Sequence, residues 1–270
     1  TIKLNGKVVK SHKEIMRHYK AVTLSEGDLE LVQSYPEKRR TFLNQSLFLN
    51  NQSWISEFRT YKKILTQRNQ FLSNISKGIS KAEDGLETWS KQLWNLSRKI
   101  QNAREVELEK INKSTNNLLE KYFSSDKLFA SFKYERKEIQ KSEDFKAFWA
   151  KHIAKNLNRE IGAKRSMFGA HLDDFKIEIH GRCARTFASR GEQKLLTFLM
   201  KCAQLLTSNE EGKMLDSKGI LLLDDFLTDL DPERLKKSLI MLENLKVQSI
   251  ITTPIEWSKI NNNNANRITL

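Results

Sequence analysis

Residues 219–234, GILLLDDFLTDLDPER, limit the fold of this chain more than any other stretch. Ile220 to Leu223 are apolar without alternation, the pattern of a strand buried on both faces in a parallel sheet. A parallel strand needs crossover connections, so helices must flank it. The run ends on two adjacent acids, Asp224 and Asp225, with Asp229 and Asp231 close behind. Pro232 stands where a helix begins, and VQSIITT (247–253) is a second buried-type strand. Strand, helix and strand in this order predict an α/β fold with a parallel sheet.

The rest of the chain is organised around that core. IKLNGKVVK (2–10) carries Asn5-Gly6 between alternating segments, a two-residue hairpin signal. Pro36 suits the first turn of a helix through PEKRRTFLNQ (36–45). From Ser53 to Ile161 there is no proline, and Leu86, Trp89, Leu93, Leu96, Ile100 and Ala103 recur by three and four. This predicts helices near 53–77, 85–123 and 142–161, the seam being ordinary helix-on-helix core rather than a projecting coiled coil. Strands return at DFKIEIHG (174–181), and a helix is expected over roughly 191–208. The expected organisation is α/β plus all-α: residues 1–50 and 163–270 share one lobe, and 51–162 form an inserted α-helical lobe.

Composition narrows the partners. The net charge of +14 favours an anionic partner, nucleic acid before membrane. Two cysteines, Cys183 and Cys202, give no disulfide framework, so a reducing cytoplasm is the expected setting. No apolar run approaches the roughly 20 residues of a membrane helix.

Two carboxylates at the carboxyl edge of a parallel sheet lie where α/β folds bind ligands. A Mg²⁺ ion with nucleotide phosphates would compensate them, Asp224 orienting the metal's water shell and Asp225 polarising an attacking water. The plain alternative is a strand that ends in solvated acids. SRGEQK (189–194) places a Ser, a Gly and a helix start together. The Ser189 hydroxyl, the Gly191 N–H and the helix dipole can all address a phosphate, and an ordinary helix cap is the competing reading.

The order of these motifs resembles the RecF family of recombination-mediator ATPases in the ABC/SMC superfamily. EGDLELV, PEKRRTFLN and YKKILTQRNQFL resemble the stretches entering that family's helical lobe. GAHLDDF resembles its GPHRDD segment, with Ala170 and Leu172 departing. ARTFASRGEQK resembles its signature, where Ser189, Gly191 and Gln193 hold and Arg190, Glu192 and Lys194 depart. LLLDDFLTDLD resembles its Walker B strand and D-loop.

The resemblance implies an ABC-type ATPase head lobe with an inserted helical lobe, binding ATP and Mg²⁺. It implies Asp224 on the metal and Asp225 as the base, with slow turnover because Asp is one methylene shorter than Glu. Ser189, Gly191 and Gln193 would address the nucleotide of a second head in an ATP-dependent homodimer, with Asp229 and Asp231 at the seam. His171 would lie near that seam, or serve as a satisfied structural residue. The implied partners are single-stranded, double-stranded or gapped DNA and RecO- or RecR-type mediator proteins, with no membrane and a nucleoid-associated place in the cytoplasm. Arg39, Arg40, Lys62 and Lys63 are the candidate DNA contacts, in a run that also reads as a solvated helix face.

The family's glycine-rich phosphate loop ending in Gly-Lys-Thr or Gly-Lys-Ser has no counterpart in the 270 residues. The expectation is a chain without its N-terminal segment, inactive by itself as an ATPase. A passive DNA-binding module and an SMC-like structural protein are the competing functions.

Overall fold

A computed structural model describes residues 3–4, 6–8, 19–141, 143–208, 218–225, 230–245 and 247–253. The chain divides into two compact units: Thr1–Ser34 with Lys110–Ser131 and Ile177–Leu270, and Tyr35–Glu109 with Phe132–Lys176.

The first unit is built on a parallel sheet. Strand β1 (Lys3–Leu4) pairs antiparallel with β2 (Lys7–Val8) across the expected hairpin, and β3 (Tyr19–Leu24) follows. Strand β7 (Lys218–Asp224) lies between β3 and β8 (Gln248–Thr252), parallel to both. The two buried strands of this sheet that the sequence predicts are found within a residue of their expected limits, whereas the strand expected at 174–181 stops at Ile179 and its hairpin partner keeps only Arg182–Cys183 before turning into helix at Ala184. The sequence reading passed over β3, because Lys20 occupies a buried position and breaks the alternation. Its ammonium donates to the Ser208 carbonyl, which satisfies the charge.

One face of this sheet is closed. Val22, Leu24, Leu221 and Leu223 are buried on it. Helix α1 (Glu30–Gln33) precedes the second unit; α6 (Ala184–Phe187) and α7 (Arg190–Thr207) come after it. Residues Gln193 to Leu205 of α7 are buried all round, so its polar members need internal partners. None of the described residues covers the opposite face to the same degree. Ala21 and Thr23 are exposed, Ile220 and Leu222 are half-buried, and Ile250 is 50% exposed.

The second unit is helical: α2 (Pro36–Asn50), α3 (Trp54–Ser76), the first part of α4 (Leu86–Phe123), and α5 (Phe145–Ala163). Its core gathers Tyr61, Leu93, Trp94, Ile100, Phe148 and Phe168. A second small cluster joins Leu72, Leu86 and Trp149. Strands β4 (Ala130–Glu135), β5 (Asp174–Ile179) and β6 (Arg182–Cys183) form a second three-stranded sheet in that order. Helix α8 (Pro232–Asn244) returns to the first unit, its Arg234 and Lys237 pairing with Asp126 just past α4. The architecture is a mixed α/β fold, with a parallel sheet in one unit and a helical body in the other.

Candidate functional site

The acidic strand end is built by register. Asp224 is the last residue of β7 and lies opposite Thr252 of β8. The Thr252 hydroxyl donates to Asp224 Oδ1 at 2.7 Å. The chain then turns at once: Asp225 has φ +48°. This left-handed conformation is one that Asp tolerates better than most side chains. Its N–H donates to Thr252 on both the carbonyl, 3.2 Å, and the hydroxyl, 3.1 Å. Both aspartates are exposed at the carboxyl edge of the central strand. Thr252 fixes the pair and was not singled out from sequence. A hydroxyl residue at the end of an adjacent parallel strand was the available signal.

The donor set suits a hard cation that keeps its own waters. Two carboxylates with a hydroxyl behind them leave most coordination positions to water or phosphate, as Mg²⁺ prefers. Among the described residues no cluster of three or more His, Cys, Asp or Glu is placed to cage a metal.

The signature-like segment starts α7. Ser189 is its N-cap, accepting from the Glu192 N–H at 3.2 Å while Glu192 Oε2 accepts from the Ser189 N–H at 2.7 Å. The two bonds form a reciprocal capping box, which Glu at this position permits. Gln193 is buried and interior. Its amide donates to the carbonyls of Ala184, Arg185 and Ala188, and its Oε1 accepts from Gln33 at 2.7 Å. A groove of about 560 Å³ opens beside it, lined by Glu26, Glu30, Gln33 and Arg190 among others. Arg190 reaches Glu26 at 3.3 Å.

Asp231 caps α8, accepting from the Arg234 N–H at 3.0 Å. The start of α7 lies against the same arginine, since a Cβ built on Gly191 would fall 3.2 Å from Arg234 Nη1. Arg234 therefore links the Gly191 and Asp231 segments, a role the sequence did not reveal. Asp229 lies outside the described residues.

The remaining candidates belong to the second unit. Gly169 turns the GAHLDD segment at φ +124°, and the Tyr61 hydroxyl bonds His171 Nδ1 at 2.8 Å. Burial, opposed by a hydrogen bond at Ser166 and reinforced by the charges of Arg40, Arg68 and Arg104, pushes His171 down to about 4. It is therefore a neutral imidazole at pH 7. Asp173 is fully buried and accepts from Gln101, Tyr134 and the Lys137 N–H at 3.0, 2.9 and 2.8 Å. Burial raises its pKa above the ordinary value in spite of those donors. Arg39 grips Asp174 through two bonds of 2.7 and 3.0 Å, and Arg40 donates to the Asp173 carbonyl at 2.8 Å. These two guanidiniums hold the segment, whereas Lys62 and Lys63 are exposed on α3.

No family model matches the chain. It is 30% identical over 253 residues to the DNA replication and repair protein RecF of Caldanaerobacter subterraneus subsp. tengcongensis, a match covering 93% of this chain and 68% of that one. The protein of the same description from Thermoanaerobacter sp. (strain X514) is 29% identical over the same shares. A solved structure of the recombination mediator protein RecF-ATPrS in the RecFOR pathway superposes with a TM-score of 0.77 at 27% identity, covering 94% of this chain and 67% of that one. The corresponding RecF-ATP structure gives 0.76 at 27% identity over 94% and 68%.

Proposed function

The chain belongs to the RecF family, and on that premise we propose that it is an ATP-dependent DNA-binding protein of replication and recombinational repair. The observation that carries the reading is Asp224-Asp225 at the carboxyl end of a central parallel strand, fixed by Thr252 of its neighbour. The related solved structures are those of RecF with ATP or ATPrS, which supports a nucleotide at this edge.

In this proposal Asp224, held by Thr252, would be the residue that binds Mg²⁺, whose chemistry would be to offset charge on the phosphates. The Asp225 carboxylate orients a water and accepts its proton. Its side chain is one methylene shorter than that of Glu, so turnover is slow. Ser189 and the first turn of α7 address the nucleotide of a second copy, with Asp231 and Asp229 near the seam. The ATP-dependent homodimer assembles on DNA, with RecO- or RecR-type proteins as partners. Lys62 and Lys63 contribute phosphate contacts, while Arg39 and Arg40 support the fold.

The test uses this chain supplied with the family's phosphate-loop segment. Sedimentation with a slowly hydrolysed ATP analogue should show a dimer. Ser189→Arg should keep nucleotide binding to each copy and lose the dimer, because a long cation cannot fit beside Gly191. Unchanged dimerisation would reduce Ser189 to a helix cap. The 270-residue chain alone, which contains no such loop, should release no phosphate from ATP.

A further inference from the structure

Helix α5 has two unlike faces. One is spent on the interior: Phe148, Trp149, His152, Asn156 and Glu160 are all buried. The row Lys151, Lys155 and Arg159 and, just past the helix, Lys164 and Arg165 are all exposed, while the exposed Lys146 stands on the far side of the helix from Lys155. Glu160 is the only acid between residues 145 and 165, and its carboxylate is fully buried against Arg68 at 2.6 Å. Lys155 reaches an opposing charge on another segment, Glu138, at 3.9 Å. Asp144 is engaged as the helix cap, accepting from the Ala147 N–H at 2.9 Å.

Lys151, Lys155 and Arg159 stand four residues apart, about 6 Å per step along the helix. Like charges at this spacing repel one another, so the row weakens the isolated helix and is relieved only by an anion. Ala147, Ala150 and Ala154 lie between the cations and are exposed, which lets a backbone of phosphates approach closely. Arg39, Arg104 and Arg136 of this unit are engaged internally, on Asp174, Asn44 and Glu105. A membrane-surface helix would need a broad free apolar face to insert, and here Phe148 and Trp149 are buried while Ile153, 39% exposed, is the one large apolar side chain of the helix left outside.

We propose that the exposed face of α5, continued by Lys164 and Arg165, is a contact surface for the phosphate backbone of DNA. The inference rests on the family reading above and assigns it a surface that the sequence run at Arg39–Lys63 did not include. Along residues 145–165 the surface has Lys and Arg donors, no exposed acid and Asn158 as its exposed amide, so it positions DNA without reading bases.

The experiment is a fluorescence-anisotropy salt titration of the 270-residue chain on two duplexes of unrelated sequence. Each phosphate contact contributes about −0.9 to the slope of log K against log salt. Lys151→Gln, Lys155→Gln, Arg159→Gln and Lys164→Gln combined should make the slope shallower by about two to four units. Both duplexes should be weakened equally. The single reversal Lys155→Glu should weaken binding in the same sense. A folded quadruple variant, judged by unchanged circular dichroism, that keeps the wild-type slope overturns this surface and leaves the DNA reading standing. A wild-type chain with no salt-dependent binding overturns both. Phosphatidylserine vesicles that compete as well as duplex DNA, and do so through the same four residues, reassign the surface to anionic lipid and overturn the proposal.

Discussion

Gly169 is the residue its surroundings least allow to change. At φ +124°, an added Cβ would lie 2.7 Å from the Tyr61 hydroxyl and 3.0 Å from His171 Nδ1. Backbone strain and the clash act together, so Gly169→Ala should cost roughly 2–4 kcal/mol in urea unfolding. Gly181, at φ +72° with nothing within 4 Å of the same position, should cost about 1 kcal/mol on the same change. His171, packed against Gly169, makes stability depend on pH. The folded pKa of about 4 lies below the ordinary 6.5, so the unfolded chain takes up the proton first. The stabilisation is complete above about pH 6.5 and is lost as pH falls toward 4. His171→Gln should flatten the urea midpoint between pH 7 and pH 5, and a slope that survives the substitution would exonerate this residue. Glu160 acts lower on the scale. Burial alone would raise it, but His152 and Arg68 outweigh burial and hold it at about 2. Arg68→Met should therefore cost about 3–5 kcal/mol, leaving an uncompensated buried carboxylate. None of this was legible from residue type. Arg39, Arg40, Lys62 and Lys63 look alike in a charge run, and only tertiary placement separates clamps from exposed cations.

At the scale of elements, periodicity found the helices and misread one face. The buried line of α4 runs Leu86, Ser90, Leu93, Ser97, Ile100 and Arg104, whereas Trp89, Leu96 and Ala103 are half-buried. Counting apolar residues cannot find this line, because its serines are satisfied locally. Ser90 and Ser97 each donate to the carbonyl four residues back, at 2.7 Å. Ser90 also accepts from Arg68 Nε at 2.9 Å. Ser90→Ala should cost about 1–3 kcal/mol by leaving that donor without its acceptor, read as a shift in thermal midpoint. Helix α7 was easier to place, since Ser189 and Glu192 mark its start in the sequence itself. The acidic end of β7 was legible for the same reason: a non-alternating apolar run that stops at charge has few places to go. Its partner Thr252 was not, because pairing register is a long-range property.

For the whole molecule, the family was readable because several weak motifs occur in one order, and each alone has an ordinary explanation. The side of the parallel sheet that the described residues leave uncovered was not readable, since a run apolar on both sides promises cover for both. That side, with Ala21, Thr23, Ile220, Leu222 and Ile250, sets up a conflict at the bench. A chain carrying +14 is kept apart from its copies by mutual repulsion, which reaches only about 10 Å at 0.1 M salt and 3 Å at 1 M. High salt is the usual means of stripping nucleic acid from so basic a protein. Here it also removes the repulsion that separates sticky surfaces, so light scattering should rise with salt as bound nucleic acid falls. Purification has a narrow window between a contaminated sample and a turbid one.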